Sequence, residues 1–194
     1  VTNGELPQAI DDHEVYLITG SPSGCYEEIH WIVELRNFVR SSFEQGKKLC
    51  GICFGHQILA HSLGGRTERA KVGPIRGLKQ TEITGFLPGW MTPAQERLQL
   101  YYSHGDQVMN LPEGGEILAR TEVCPIAMFR VRDQVFGIQG HPEFDRLFMS
   151  ELIEHYRGTV SQERYLADRE SLNLGPPDKH VVAEWIVRFI RATI

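Results

Sequence analysis

The sequence predicts an α/β fold in three layers: a mixed but mostly parallel central sheet with helices on both faces. Three observations carry that expectation. In residues 14–63, short apolar runs that stop at Gly or Pro alternate with stretches of helical periodicity. A strand–helix–strand–helix order of this kind feeds a parallel sheet covered by its own connections. Residues 66–140 hold only short β-type segments, and the pattern returns to helix from 145 onward.

The elements follow in chain order. Residues 1–14 are polar and turn-rich, with Asn3-Gly4 and Asp11-Asp12. Glu14 to Thr19 is an apolar run stopped by Gly20, Ser21, Pro22, Ser23 and Gly24, which reads as a buried strand and its loop. Residues 26–45 read as a helix, because Ile29, Ile32, Leu35, Val39 and Phe43 recur at spacings of three or four. Gly46 is placed to cap it. Lys48 to Ile52 is the next strand, and His56 to Leu63 a helix stopped by Gly64-Gly65. In the middle region, strands are expected at 79–84, 97–102, 116–119, 126–131 and 134–139, the last two joined by a turn at Arg132-Asp133. Two helices close the chain, at 145–157 and 178–192. The second has an apolar stripe of Val182, Trp185, Ile186, Phe189 and Ile190, with Asp178 as its N-cap. Gly175-Pro176-Pro177 reads as a turn, so residues 1–194 are expected to form one domain whose 145–194 part is helical.

Composition narrows the function. The chain has 194 residues, 41% hydrophobic and 23% charged, enough to bury a core without staples. Its formal charge of −5 gives no support to a nucleic-acid or anionic-membrane partner. No apolar run approaches the ~18 residues of a spanning helix. Four cysteines are too few for a disulfide scaffold and fit a reducing, cytoplasmic setting. Cys25 and Cys124 have no close Cys or His companion, so neither a metal nor another cofactor is implied.

Chemistry concentrates around Cys53. Cys50-Gly51-Ile52-Cys53 fits a C-x-x-C redox motif at a strand–helix junction. Gly51-Ile52-Cys53-Phe54-Gly55 fits a nucleophile elbow with cysteine in place of serine. In an elbow, small residues two positions either side let the backbone turn sharply, and the nucleophile projects from the sheet edge. The following helix would favour a thiolate at Cys53, and the next N–H, from Phe54, would face a developing oxyanion. Cys50 would then be a small buried hydrophobe in the strand.

A cysteine nucleophile needs a base, and two of the eight histidines have suggestive neighbours. His141-Pro142-Glu143 follows a strand, and Pro142 biases His141 to extended geometry. Side chains two apart then share a side, so Glu143 is placed to hold the imidazole. Ser103-His104-Gly105-Asp106 repeats that spacing but reads as a loop held by its own hydrogen bonds.

Taken together, these segments resemble class I glutamine amidotransferases. Gly51 to Gln57 resembles the family's G-x-C-x-G-x-Q elbow, and His141-Pro142-Glu143 its H-P-E motif. Ile18 to Pro22 resembles its S-G-G-P loop, and Ser103 to Val108 the S-H-G-D-x-V segment of the GMP-synthase-type branch. The order and spacing match over residues 5–150. The resemblance implies a flavodoxin-like fold and hydrolysis of a γ-glutamyl amide bond through a thioester on Cys53. It implies His141 as base and acid, Glu143 as its orienter, and the Ser21 and Phe54 N–H groups as the oxyanion hole. It assigns Gly20, Gln57, Ser103, His104, Gly105 and Asp106 to the substrate pocket. The substrate would be L-glutamine, with ammonia passed to a separate synthetase subunit, or a γ-glutamyl peptide hydrolysed by this chain alone. The family usually begins with further β/α elements before residue 3, so the sequence is expected to lack its N-terminal strands. Residues 150–194 read as a helical tail and not as a synthetase domain, so the chain is expected to resemble the stand-alone GMP-synthase-like branch.

Overall fold

A computed structural model describes residues 1–3 and 5–192; Gly4, half of the Asn3-Gly4 turn signal, lies outside the described residues. Its centre is a seven-stranded sheet. The strands are β1 (Val15–Ile18), β2 (Lys48–Ile52), β4 (Ile75–Ile83), β5 (Arg97–His104), β7 (Gly115–Arg120), β8 (Met128–Val131) and β9 (Val135–Ile138). They lie in the order β1-β2-β9-β8-β7-β4-β5. β1, β2 and β9 pair in parallel, and the remaining pairs are antiparallel. Following those directions across the sheet, five of the seven strands point one way, and only β8 and β4 run back. The mixed, mostly parallel sheet expected from the sequence is therefore present.

Alternation along β2 and β9 sorts the two faces. Leu49 and Val135 face a core shared with α1 (His30–Glu44) and α2 (Phe54–Ser62). Cys50, Ile52, Phe136 and Ile138 face the other core, covered by α5 (Lys179–Arg191) through Val182, Trp185, Ile186 and Phe189. A third cluster packs α3 (Arg146–His155) and α4 (Gln162–Ser171) on Leu78 and Tyr101 of the β4–β5 hairpin. Lys48, buried at the start of β2, donates to the carbonyls of Phe189 and Ala192 and so ties the end of α5 to the sheet.

Several expectations are corrected. The first helix starts at His30, not 26, because residues 24–29 form a turn in which the Gly24 N–H donates to Glu27 Oε1 at 2.7 Å. Ser103–Asp106 is not a loop. Ser103 and His104 end β5, Asp106 opens β6 (Asp106–Asn110), and only Gly105 lies between. β6 pairs with β3 (Arg66–Arg69) in a small second sheet whose charged, short strands left no periodic signal. α4 was not foreseen either: it buries only Tyr165, Asp168 and Ser171, so it has no apolar stripe. Asp178 precedes α5 as expected, yet its carboxylate makes no cap bond and accepts instead from the Gln99 N–H at 2.7 Å. Gly46 ends α1 with φ 78°, and Arg132 makes the β8–β9 turn with φ 52°.

Candidate active site

The site forms where β2 gives way to α2. Cys53 is the N-cap of α2 and holds φ 53°, ψ −102°, a conformation L-residues rarely adopt. The flanking glycines explain how such a turn is possible. A Cβ on Gly51 would lie 2.4 Å from the Gly55 carbonyl, and one on Gly55 would lie 2.0 Å from the Ile18 carbonyl oxygen. Backbone thus packs on backbone at both positions, and no side chain fits. The Cys53 N–H donates to the Ile138 carbonyl at 2.8 Å, which locks the elbow to β9. Phe54 is the first residue of α2, and its N–H has no intrahelical acceptor.

His141 arrives from the neighbouring strand. Its N–H donates to the Tyr101 carbonyl at 2.8 Å, and its ring stacks on Phe144 with centroids 3.9 Å apart. Nδ1 lies 2.7 Å from Glu143 Oε1, so the extended geometry imposed at His141-Pro142 does put both side chains on one side. Burial works against a charged ring, but the nearby Cys53 thiol and the hydrogen bond to Glu143 outweigh it and raise His141 to about 9. Gly20 lies beside both groups: a carbon added there would sit 3.4 Å from His141 Cε1 and 3.8 Å from Cys53 Cβ.

The rival histidine is arranged differently. His104 Nδ1 is 2.8 Å from the backbone oxygen of Asp106 and has no carboxylate partner among the described residues. Burial pushes it down to about 4, so it is neutral at neutral pH. Cys50 is fully buried on the α5 side of β2, and burial pushes its thiol up to about 12. All four cysteines are free. Of the two thiols of C-x-x-C, only Cys53 lines the cleft, and Cys50 lies in the strand.

Cys53 opens into a cleft of about 220 Å³, below the ~300–1,000 Å³ of drug-sized sites. Ser21, Gln57, Ser103, His104, Gly105 and Asp106 line it, and Gly20 is not among the residues of its wall. Gln57 is more constrained than expected. Its Nε2 donates to the Asp106 carbonyl at 2.7 Å and to Gln139 Oε1 at 3.1 Å, so it braces the wall. Sequence reasoning missed Glu27, Arg69, Arg76 and Tyr156, which also line the cleft. None belongs to a motif, and Tyr156 reaches the site from the helical tail. Among the described residues no group of three or more His, Cys, Asp or Glu is placed to hold a metal ion.

Comparison with known proteins decides the family. A family model for glutamine amidotransferase class-I matches residues 7–149. The chain belongs to the class-I glutamine amidotransferase family. Within that family it is 32% identical over 190 residues to "Gamma-glutamyl peptidase 3" of Arabidopsis thaliana, covering 92% of this chain and 76% of that protein. It is 37% identical over 143 residues to "GMP synthase [glutamine-hydrolyzing]" of Caldicellulosiruptor saccharolyticus, covering 72% of this chain but only 26% of that protein. The fold matches a crystal structure of a glutamine amidotransferase from Thermotoga maritima, with TM-score 0.77 and 22% identity over 97% of this chain and 83% of the other. Like other members of the class-I glutamine amidotransferase family, this chain is an amidohydrolase.

Proposed function

We propose that this class-I amidotransferase cleaves γ-glutamyl amide bonds through a Cys53 thioester, with His141 and Glu143 completing a triad. The observation that carries this is the 2.7 Å contact between His141 Nδ1 and Glu143, with Cys53 on a strained elbow next to the same imidazole. Cys53 gives its thiol proton to His141 and its sulfur attacks the γ-carbonyl carbon, a C–S bond forming as the carbonyl π bond opens. The Phe54 N–H and the Ser21 N–H receive the oxyanion. The intermediate collapses, the C–N bond breaks, and protonated His141 gives its proton to the leaving amine. Water then attacks the thioester and loses a proton to His141, releasing glutamate and restoring the thiol. Gly20 leaves the space between Cys53 and His141 open for the reacting group. His104, neutral and unpaired with any carboxylate, is a wall of the pocket and not the base.

The leaving group is ammonia when glutamine is the substrate, with a separate synthetase to use it, or an amino acid or peptide when the substrate is a γ-glutamyl peptide. Similarity to "Gamma-glutamyl peptidase 3" extends over 92% of this chain, which supports the peptide substrate. The test is glutamate release from L-glutamine and from glutathione, offered separately to the purified protein and to Cys53→Ala. Release by the parent that falls at least ~10⁴-fold in Cys53→Ala establishes the nucleophile, and the preferred substrate identifies the leaving group. Release that survives in Cys53→Ala overturns the reading.

A further inference from the structure

We propose that Arg76 is the carboxylate anchor of the cleft, binding a carboxylate of the γ-glutamyl substrate. This rests on the reading above and names how the same site selects what it cleaves. Arg76 lies on β4 opposite Ser103 of β5, and the Ser103 carbonyl is 3.8 Å from Cys53 Sγ. One strand spacing therefore separates the backbone that carries Arg76 from the backbone that touches the nucleophile. A carboxylate only a few bonds from the scissile carbon is within an arginine's reach.

The state of the guanidinium points to a ligand. Arg76 is 8% exposed and lines the cleft, yet its buried Nη1 has no hydrogen-bond partner among the described residues. A buried cation without a partner is costly, and proteins retain such groups where a ligand completes them. Its Cζ lies 4.1 Å from the centroid of the Tyr156 ring, a cation–π contact that holds the group without using its N–H donors. The acid that acts on it through space, Asp168, is held by Arg164 Nε at 3.0 Å and by Lys79 Nζ at 4.0 Å. The other cation of the cleft, Arg69, has an exposed side chain already set against Asp106 Oδ1 at 3.4 Å. Glu27 and Asp106 supply the negative wall. A cleft with buried cation and acids together is complementary to an amino acid's carboxylate and ammonium. A guanidinium fork takes a carboxylate with two parallel hydrogen bonds.

A γ-glutamyl substrate offers that carboxylate from two sources: the α-carboxylate of the glutamyl group or the carboxylate of the leaving amino acid. Steady-state kinetics on L-glutamine, its α-amide, γ-glutamylglycine and γ-glutamylglycinamide separate them, using wild type, Arg76→Gln and Arg76→Lys. Arg76→Gln is expected to raise KM about 10- to 100-fold on substrates carrying the bound carboxylate, with partial rescue in Arg76→Lys. It should have no further effect once that carboxylate is an amide. Loss of the arginine's effect on glutamine α-amide identifies the α-carboxylate, and loss on γ-glutamylglycinamide the leaving group's. An equal loss on all four substrates, or none on any, overturns the proposal. Calorimetric binding of the same compounds to Cys53→Ala, with and without Arg76→Gln, keeps the question separate from turnover. A catalytically silent wild type would sink the functional reading, while carboxylate-dependent binding would still report on Arg76. If Arg76→Gln does not fold, Arg76→Lys, which keeps the charge but not the fork, is compared across the same four substrates.

Discussion

Glu143 holds the imidazole at 2.7 Å although nearly half of its side chain is exposed, so its effect is orientation as much as field. Glu143→Gln should lower kcat about 10²-fold or more with a smaller change in KM, and should lower the His141 titration midpoint from about 9, read by NMR. The His141 shift also links to stability. Its folded value is raised above the ordinary 6.5, so the contribution is fully present below 6.5 and is lost as pH rises through about 9. The melting-temperature gap between wild type and His141→Gln should therefore narrow across that window, and a gap that widens would contradict the assignment. Cys50→Ser leaves the cleft untouched. It should change γ-glutamyl hydrolysis less than about twofold while costing some stability, because the added hydroxyl enters an apolar layer.

At the scale of elements, the elbow depends on how closely β1, β2 and α2 approach. Gly55→Ala would drive a methyl onto the Ile18 carbonyl oxygen, so α2 must lift from β1. The expected cost is about 1–3 kcal/mol in denaturant unfolding, with loss of activity because Cys53 and Phe54 move with the helix. Gly46→Ala is the useful contrast. Its φ of 78° strains an alanine, but nothing lies within 4 Å, so stability should fall without displacing the site. The motif G-x-C-x-G was legible in the sequence because its two glycines flank one sharp turn, although the Gly55 contact with Ile18 reaches across to β1. The β3–β6 ribbon was not legible, since strands of four and five residues carry little periodicity.

Across the whole molecule, α5 covers the sheet face opposite α1 and α2, and Trp185 anchors it. That side chain is fully buried and its Nε1–H donates to the Pro93 carbonyl at 3.0 Å. Trp185→Ala should cost about 3–5 kcal/mol by denaturant unfolding. Cys50, Ile52, Phe136 and Ile138 line that same core on the two strands that lead to Cys53 and His141. Loosening this face should therefore reduce activity at temperatures below the melting point. No helix among the described residues is long and apolar enough to cross a membrane.

The sequence by itself determined the α/β class, the elbow at Cys53 and the pairing of His141 with Glu143. Each rests on short-range rules: periodicity, the small residues a sharp turn demands, and the two-residue repeat of extended chain. Only the tertiary structure shows how the surroundings of His141 and His104 differ, because their i, i+2 acidic neighbours look alike in sequence. One imidazole meets a carboxylate and the other a backbone carbonyl. Only the tertiary structure likewise brought Glu27, Arg69, Arg76 and Tyr156 to one cleft with Cys53. Their meeting depends on strand order and on the packing of the helical tail, long-range contacts that no local pattern encodes.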